Sequence, residues 1–215
     1  MFNKEKFLNY EKFFKKEHEK SFEILKGNGK VIVSAPHSVA QTRLGKLKYS
    51  EPQTGALARL LHDSLNCHVI YKTKNMGDDA NFDENCGYKT ALCEFIKQNG
   101  IVFLIDLHQL SPRRKEWVNV GTGDLKNLKE KWHLDIVVSA FANQDIQNLK
   151  IDYPFKASYP YTVSAYVSKN CNISCIQIEL NSNLVRFGYN ECQIEKVYNA
   201  LKEIILKIEG ESGNK

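Results

Sequence analysis

The 215-residue sequence lacks several features that would each place it in a large class of proteins. No apolar run reaches the roughly 20 residues that a membrane-spanning helix needs, and no secretory leader pattern precedes the first strand-like segment. The six cysteines (Cys67, Cys86, Cys93, Cys171, Cys175 and Cys192) include no CxxC pair, so neither a structural zinc ribbon nor a thioredoxin-type motif is signalled. Reduced, structural thiols in a cytoplasmic protein without a membrane partner are the expectation. Arginine is missing from the first 30 residues, where eight lysines stand against five glutamates and supply much of the net charge of +5. A nucleic-acid surface would carry arginines and stacking aromatics along a basic stripe. This excess reads instead as the solvated face of a helix whose other side, with Phe7, Tyr10 and Phe14, can dock. Internal repeats, low-complexity tracts and Pro/Gly-rich linkers are also absent, which predicts a single domain over 1–215, with a peripheral segment at 1–27 and a fraying tail at 209–215.

What is present suffices for a substantial core: 42% of the residues are hydrophobic and 11% aromatic. The run KVIVSA (30–35) follows Gly27-Asn28-Gly29, ends at Pro36 and reads as a buried strand. Leu57, Leu60, Leu61 and Leu65 repeat at helical spacing and predict a helix over 53–65, entered through Glu51 and Pro52. Further strands are predicted over 67–72, 101–107, 116–120 and 174–180. Helices are predicted over 88–99, stopping at Gly100, over 135–149 and over 191–208. Alternating strands and helices argue for an α/β fold, a three-layer αβα sandwich around a mixed, mostly parallel sheet. Such sheets hold their ligands at the carboxyl ends of the strands.

Polar residues stand at three of those strand ends. His37 follows VIVSAP; Asp106 and His108 close IVFLIDLH and, two apart, point to one side of the strand; Glu179 lies inside CIQIELN. One histidine at a strand end is an ordinary structural residue. Two of them, with carboxylates nearby, suit a catalytic zinc site, where three N or O ligands leave a position for water. Glu51 would be the third ligand, although a carboxylate at a helix N-terminus is also favourable by itself. Asp106 could orient an imidazole or bond to backbone. A carboxylate inside CIQIEL needs a cation to offset its burial.

The segments SAPHS (34–38), EPQTG (51–55), IDLHQ (105–109) and IQIELN (176–181) resemble, in order, the signature blocks of the N-formylglutamate amidohydrolase family, across roughly residues 30–187. The resemblance implies a zinc carboxypeptidase-like fold, one zinc ion (or another divalent transition metal) held by His37, Glu51 and His108, and Glu179 as general base. It also implies a small amide substrate bearing a carboxylate. Arg186, which follows the last block as in the family pattern, is the first candidate to bind that carboxylate, with Arg113 and Arg114 next. Where family members show an Asn-Arg pair, this chain has Asn81 followed by Phe82. That departure bears on formylglutamate as the substrate and leaves the metal residues untouched. Two other readings remain: a zinc peptidase or amidase of peptide or cell-wall substrates, and a non-catalytic binding protein on the same fold. Tyr153, Tyr159, Tyr161 and Tyr166 crowd one stretch, either as a lid or as packing and surface residues.

Overall fold

A computed structural model of the chain describes residues 2–16, 18–188 and 191–212. Helix α1 (Lys4–Phe13) leads into β1 (Phe22–Leu25) and β2 (Val31–Ala35). A small hairpin of β3 (Gln41–Arg43) and β4 (Lys46–Lys48) precedes α2 (Pro52–Leu65). Then come β5 (His68–Lys72), α3 (Gly87–Asn99), β6 (Phe103–Leu110), β7 (Val118–Gly121), α4 (Trp132–Ala142) and β8 (Leu149–Ile151). The chain continues through α5 (Val163–Cys171), β9 (Ser174–Asn181), α6 (Ser182–Val185) and α7 (Glu191–Ser212). Pro52 starts α2 at the position where a missing N–H is harmless, and Asn66, at φ 54°, ends it in the left-handed conformation. Gly100 stops α3 in the same way, at φ 63°.

Seven strands form one sheet in the order β1-β5-β2-β6-β9-β7-β8. The central four, β5-β2-β6-β9, are parallel; β1 runs antiparallel to β5, and β7 runs antiparallel to β9 with β8 parallel to it. The mixed α/β sheet flanked by helices is therefore the architecture that the alternation predicts. Strand alternation sends Val31, Val33, Phe103, Ile105, Leu107, Ile176, Ile178 and Leu180 to one face, under α1, α2, α4, α6 and α7. Ile32, Ile70, Leu104 and Cys175 go to the other face, under α3 and α5. Cys67, Cys86, Cys93, Cys171 and Cys175 are free thiols. Among the described residues no helix is long and apolar enough to cross a membrane.

Two local readings change. The helix expected over 135–149 stops at Ala142, because the chain turns through Asp145 at φ 57° and residues 149–151 join the sheet beside β7. The edge strand β1, the hairpin and α5 were not signalled: β1 is only half-buried, β4 is wholly exposed, and neither shows an apolar run. Helix α1 packs on α2, with Phe7 and Phe14 in the core; Gly55 leaves room for this, since a Cβ there would lie 2.5 Å from the Phe14 ring.

Helix α7 continues past Ile208, and its Glu209 accepts hydrogen bonds from the backbone N–H groups of Lys30 (2.8 Å) and Val31 (2.9 Å). Gly29, at φ +99°, permits that approach, because a Cβ would sit 2.4 Å from the Glu209 carboxylate. Residues 213–215 of the expected tail and the side chain of Cys192 lie outside the described residues. Removing this anchor with Glu209→Ala should lower stability by about 1.5–3 kcal/mol, the range for hydrogen bonds to a charged acceptor. An unchanged urea midpoint would show that the anchor contributes nothing.

Candidate functional site

Three parallel strands deliver the site. His37 lies just past the end of β2, His108 near the end of β6, and Glu179 directly opposite His108 in the β6–β9 register. On β6 and β9 the residues Asp106, His108, Gln177 and Glu179 share the face of Leu104 and Cys175, so they occupy the edge where the α3/α5 core gives out. Glu51 is the N-cap residue of α2, brought back to β2 by its backbone N–H, which donates to the His37 carbonyl at 2.8 Å. Its side chain makes no capping hydrogen bond. Oε2 instead accepts from the Gln109 backbone N–H at 3.0 Å, which argues against a purely helix-terminal role.

The inward atoms of these residues converge. His37 Nδ1 lies 3.2 Å from His108 Nδ1 and 3.3 Å from Glu51 Oε1, and His108 Nδ1 lies 3.8 Å from Glu51 Oε2. The outward ring nitrogens are already engaged: His37 Nε2 meets Asp79 Oδ1 at 2.9 Å, and His108 Nε2 meets Asp106 Oδ2 at 3.1 Å. Carboxylates facing Nε2 place the proton there and leave each Nδ1 as a lone pair pointing inward. With both rings neutral, three acceptors then face one another with no donor between them. A cation resolves that arrangement, and the spacing suits one, since four-coordinate zinc with bonds of about 2.0–2.1 Å separates its ligand atoms by about 3.3 Å. The candidate ligand atoms of His37, Glu51 and His108 lie within 4.8 Å of one another, so this cluster could hold a metal ion.

The protonation energetics carry the same message. Burial opposes a charged His37, but Glu51 and Asp79 outweigh it and raise its pKa to about 10. His108 is raised as well: burial opposes the charge, and Asp106 overcomes it. Asp79 is lowered despite its burial, by His37 and Arg43. Glu179 is pushed up to about 7, first by burial and then by the charges of Glu51 and Asp106, against the pull of His108 and His37. Its Oε1 accepts a hydrogen bond from Gln177 Nε2 at 2.9 Å.

His37, Glu51, His108, Gln177 and Glu179 line a cavity of about 620 Å³, the range of small-molecule sites. Of the sequence-predicted substrate residues, Asn81 and Arg114 line it. Arg113 and Arg186 are exposed and lie outside the lining; Arg186 sits at the C-terminal end of α6. Asn81 is largely spent on the scaffold: Oδ1 accepts from the Val163 backbone N–H at the start of α5. Arg114 stacks over the Phe155 ring, 5.4 Å from its centroid. From the tyrosine-rich stretch, Tyr159 and Tyr161 stack on each other in the cavity wall, and Phe82 packs against Tyr161. Asp79, Arg43, Gln177 and Gln109 were missed. Gln177, two residues before Glu179, could have been found by alternation; Asp79 and Arg43 sit in polar, aperiodic sequence that gives no such signal.

No family model matches the chain, and no curated protein matches it by sequence. Solved structures do. An N-formylglutamate amidohydrolase from Ralstonia eutropha JMP134 superposes with a TM-score of 0.61 at 12% identity, over 88% of this chain and 97% of that one. A bacteriophage poly-gamma-glutamate hydrolase gives 0.59 at 12% identity, over 91% and 93%. A metallo-carboxypeptidase from Burkholderia cenocepacia gives 0.53 at 13% identity, over 98% of this chain and 70% of that one. At such identities the likeness is one of fold, and the chain has the zinc carboxypeptidase-like α/β fold that the sequence blocks imply.

Proposed function

We propose that the protein is a zinc-dependent amidohydrolase that cleaves a small N-acyl amino acid or a related amide. The observation that carries this reading is the convergence of His37 Nδ1, His108 Nδ1 and a Glu51 carboxylate oxygen on one point, beside a buried carboxylate that is not part of the cluster. The donor set, two imidazoles and one carboxylate, is that of hydrolytic zinc sites. Zinc bound there would polarise the amide carbonyl and make water acidic enough to attack near neutral pH.

The chain's own groups supply the rest. Glu179, with Oε1 occupied by Gln177, keeps Oε2 free to take a proton from the attacking water and return it to the amide nitrogen as the C–N bond breaks. Water adds to the carbonyl carbon, and a carboxylic acid and an amine leave. Asp79 and Asp106 fix the tautomers of the two histidines. Arg114, on the cavity wall and with no carboxylate partner among the described residues, is the group best placed to receive a substrate carboxylate, and it takes over the role that the sequence blocks assign to Arg186. Arg43 also lines the cavity, but its Nε and Nη2 are bonded to Asp79 at 2.8 Å.

Protein prepared without chelator should carry about one equivalent of metal, and Glu51→Ala and His108→Ala should each lose most of it while remaining folded. Elemental analysis checks this; full occupancy in the Glu51 variant removes that residue from the ligand set. Glu179→Gln should hold its metal and lose about 10² to 10⁴ in kcat. Near-normal turnover at full occupancy would end the general-base assignment. Arg114→Ala should raise KM for N-acyl amino acids by roughly tenfold or more with little change for uncharged amides, as expected when a charge-assisted contact is lost. Equal effects on both substrate sets would deny it the carboxylate.

A further inference from the structure

Helix α1, at the Lys-rich start of the chain, reaches the candidate metal centre through a run of side-chain hydrogen bonds that ends on the Gln109 backbone N–H. Glu11 on α1 is 9% exposed, and its Oε1 accepts from Lys15 Nζ at 2.6 Å and from Gln53 Nε2 at 3.0 Å. Gln53, 6% exposed and two residues into α2 from Glu51, uses its Oε1 to accept from Gln109 Nε2 at 2.9 Å. Gln109 then presents its backbone N–H to Glu51 Oε2. The Gln53 amide has its donor end fixed by Glu11 and its acceptor end by Gln109, so the polarity is set from the Glu11 carboxylate inward.

Resting on the reading of Glu51 as a metal ligand, we propose that Glu11 and Gln53 are positioning residues that hold Gln109, and through it the Glu51 carboxylate, with Oε1 turned toward His37. The Glu51 carboxylate has no helix-capping bond to restrain it, so the Gln109 N–H is the backbone contact that fixes its rotation. Gln109 follows the last histidine of the cluster by one residue, and a shift in its side chain tilts the end of β6 on which His108 stands. The relay is held from behind by packing: Phe7 and Phe14 are in the core, and Tyr10 and Lys6 bond Asp63 on α2 at 2.6 Å and 3.0 Å. Partners one step behind a ligand tune affinity because they decide how much orientational freedom the ligand must lose on binding.

The test compares Glu11→Leu, Gln53→Leu, Glu11→Gln and Tyr10→Phe in the full chain. Zinc affinity is measured by chelator competition and ligand geometry by the visible spectrum of the cobalt(II)-substituted protein. Both Leu variants break the run and should weaken zinc by about tenfold and alter the cobalt bands. Glu11→Gln keeps the acceptor oxygen and should restore both values, while Tyr10→Phe, which loosens α1 without touching the relay, should leave them at wild type. Wild-type zinc affinity and an unchanged cobalt spectrum in both Leu variants would overturn the relay alone. Equal weakening in Tyr10→Phe would also overturn it, by showing that docking of α1 is what matters. A wild-type protein that binds neither metal would overturn the ligand reading of Glu51 itself.

Discussion

Two imidazole lone pairs and a carboxylate oxygen brought to within 3.2–3.8 Å of one another form the constraint around which the rest of the molecule is arranged. Such a contact is repulsive unless positive charge lies inside it. The surroundings increase that demand, because Asp79 and Asp106 are wholly buried behind the two rings. Burying carboxylates costs several kcal/mol per ion after relaxation, and only close positive charge offsets it. The upward displacement of both histidines and the downward displacement of Asp79 express one fact: this part of the protein stabilises a cation, whether a proton or a metal.

The sheet makes the arrangement possible at little cost to the core. Pairing of His108 with Glu179 and of Asp106 with Gln177 fixes four polar residues on one face of β6 and β9. The intervening residues Ile105, Leu107, Ile176, Ile178 and Leu180 stay in the larger core on the opposite face. Period-two alternation thus lets adjacent positions serve opposite ends, packing and polar chemistry. The polar row stands where Leu104 and Cys175 end the α3/α5 core, and the loops that close the cavity above it come from other elements. Strands set the positions of three of the four central residues; only Glu51 depends on a helix start and on the hydrogen bonds that hold it there.

This division explains what was legible in the sequence. The apolar runs KVIVSA, IVFLIDL and SCIQIEL declare buried strands, and the polar residues that interrupt or follow them stand out because a core would not choose them. His37, His108 and Glu179 were therefore readable from pattern, whereas Glu51 needed the resemblance to separate it from a residue that merely suits a helix start. Asp79, Arg43 and the cavity wall around Tyr161 were not readable: their places depend on loop geometry, which carries no periodic signal. Arg186 shows how far a position near a block in sequence can lie from the cavity. It stands only seven residues beyond Glu179 in sequence, but α6 intervenes and leaves it exposed outside the cavity lining, while Arg114, also exposed, lines the cavity from the loop between β6 and β7.

The four sequence blocks gain a physical meaning from their mutual contacts. In SAPHS, Ser34 Oγ donates to Asp106 Oδ1, which is in the third block, and Ser38 Oγ donates to the Lys72 carbonyl at the end of β5. In EPQTG, Glu51 faces His37, Gln53 accepts from Gln109, Thr54 Oγ1 donates to the Glu51 carbonyl, and Gly55 makes room for Phe14. In IQIELN, Gln177 holds Glu179, and Asn181 Nδ2 donates to the carbonyls of Arg114 and Glu116, shaping the loop that carries Arg114. Most polar letters of the blocks, Thr54 and Ser38 excepted, are thus bonded to another block or to a residue lining the cavity. Where such a bond is buried, removing one partner leaves the other unsatisfied at a cost of about 1–3 kcal/mol. The apolar remainder answers only to volume and pattern. The fold can therefore be shared with these structures at 12–13% identity.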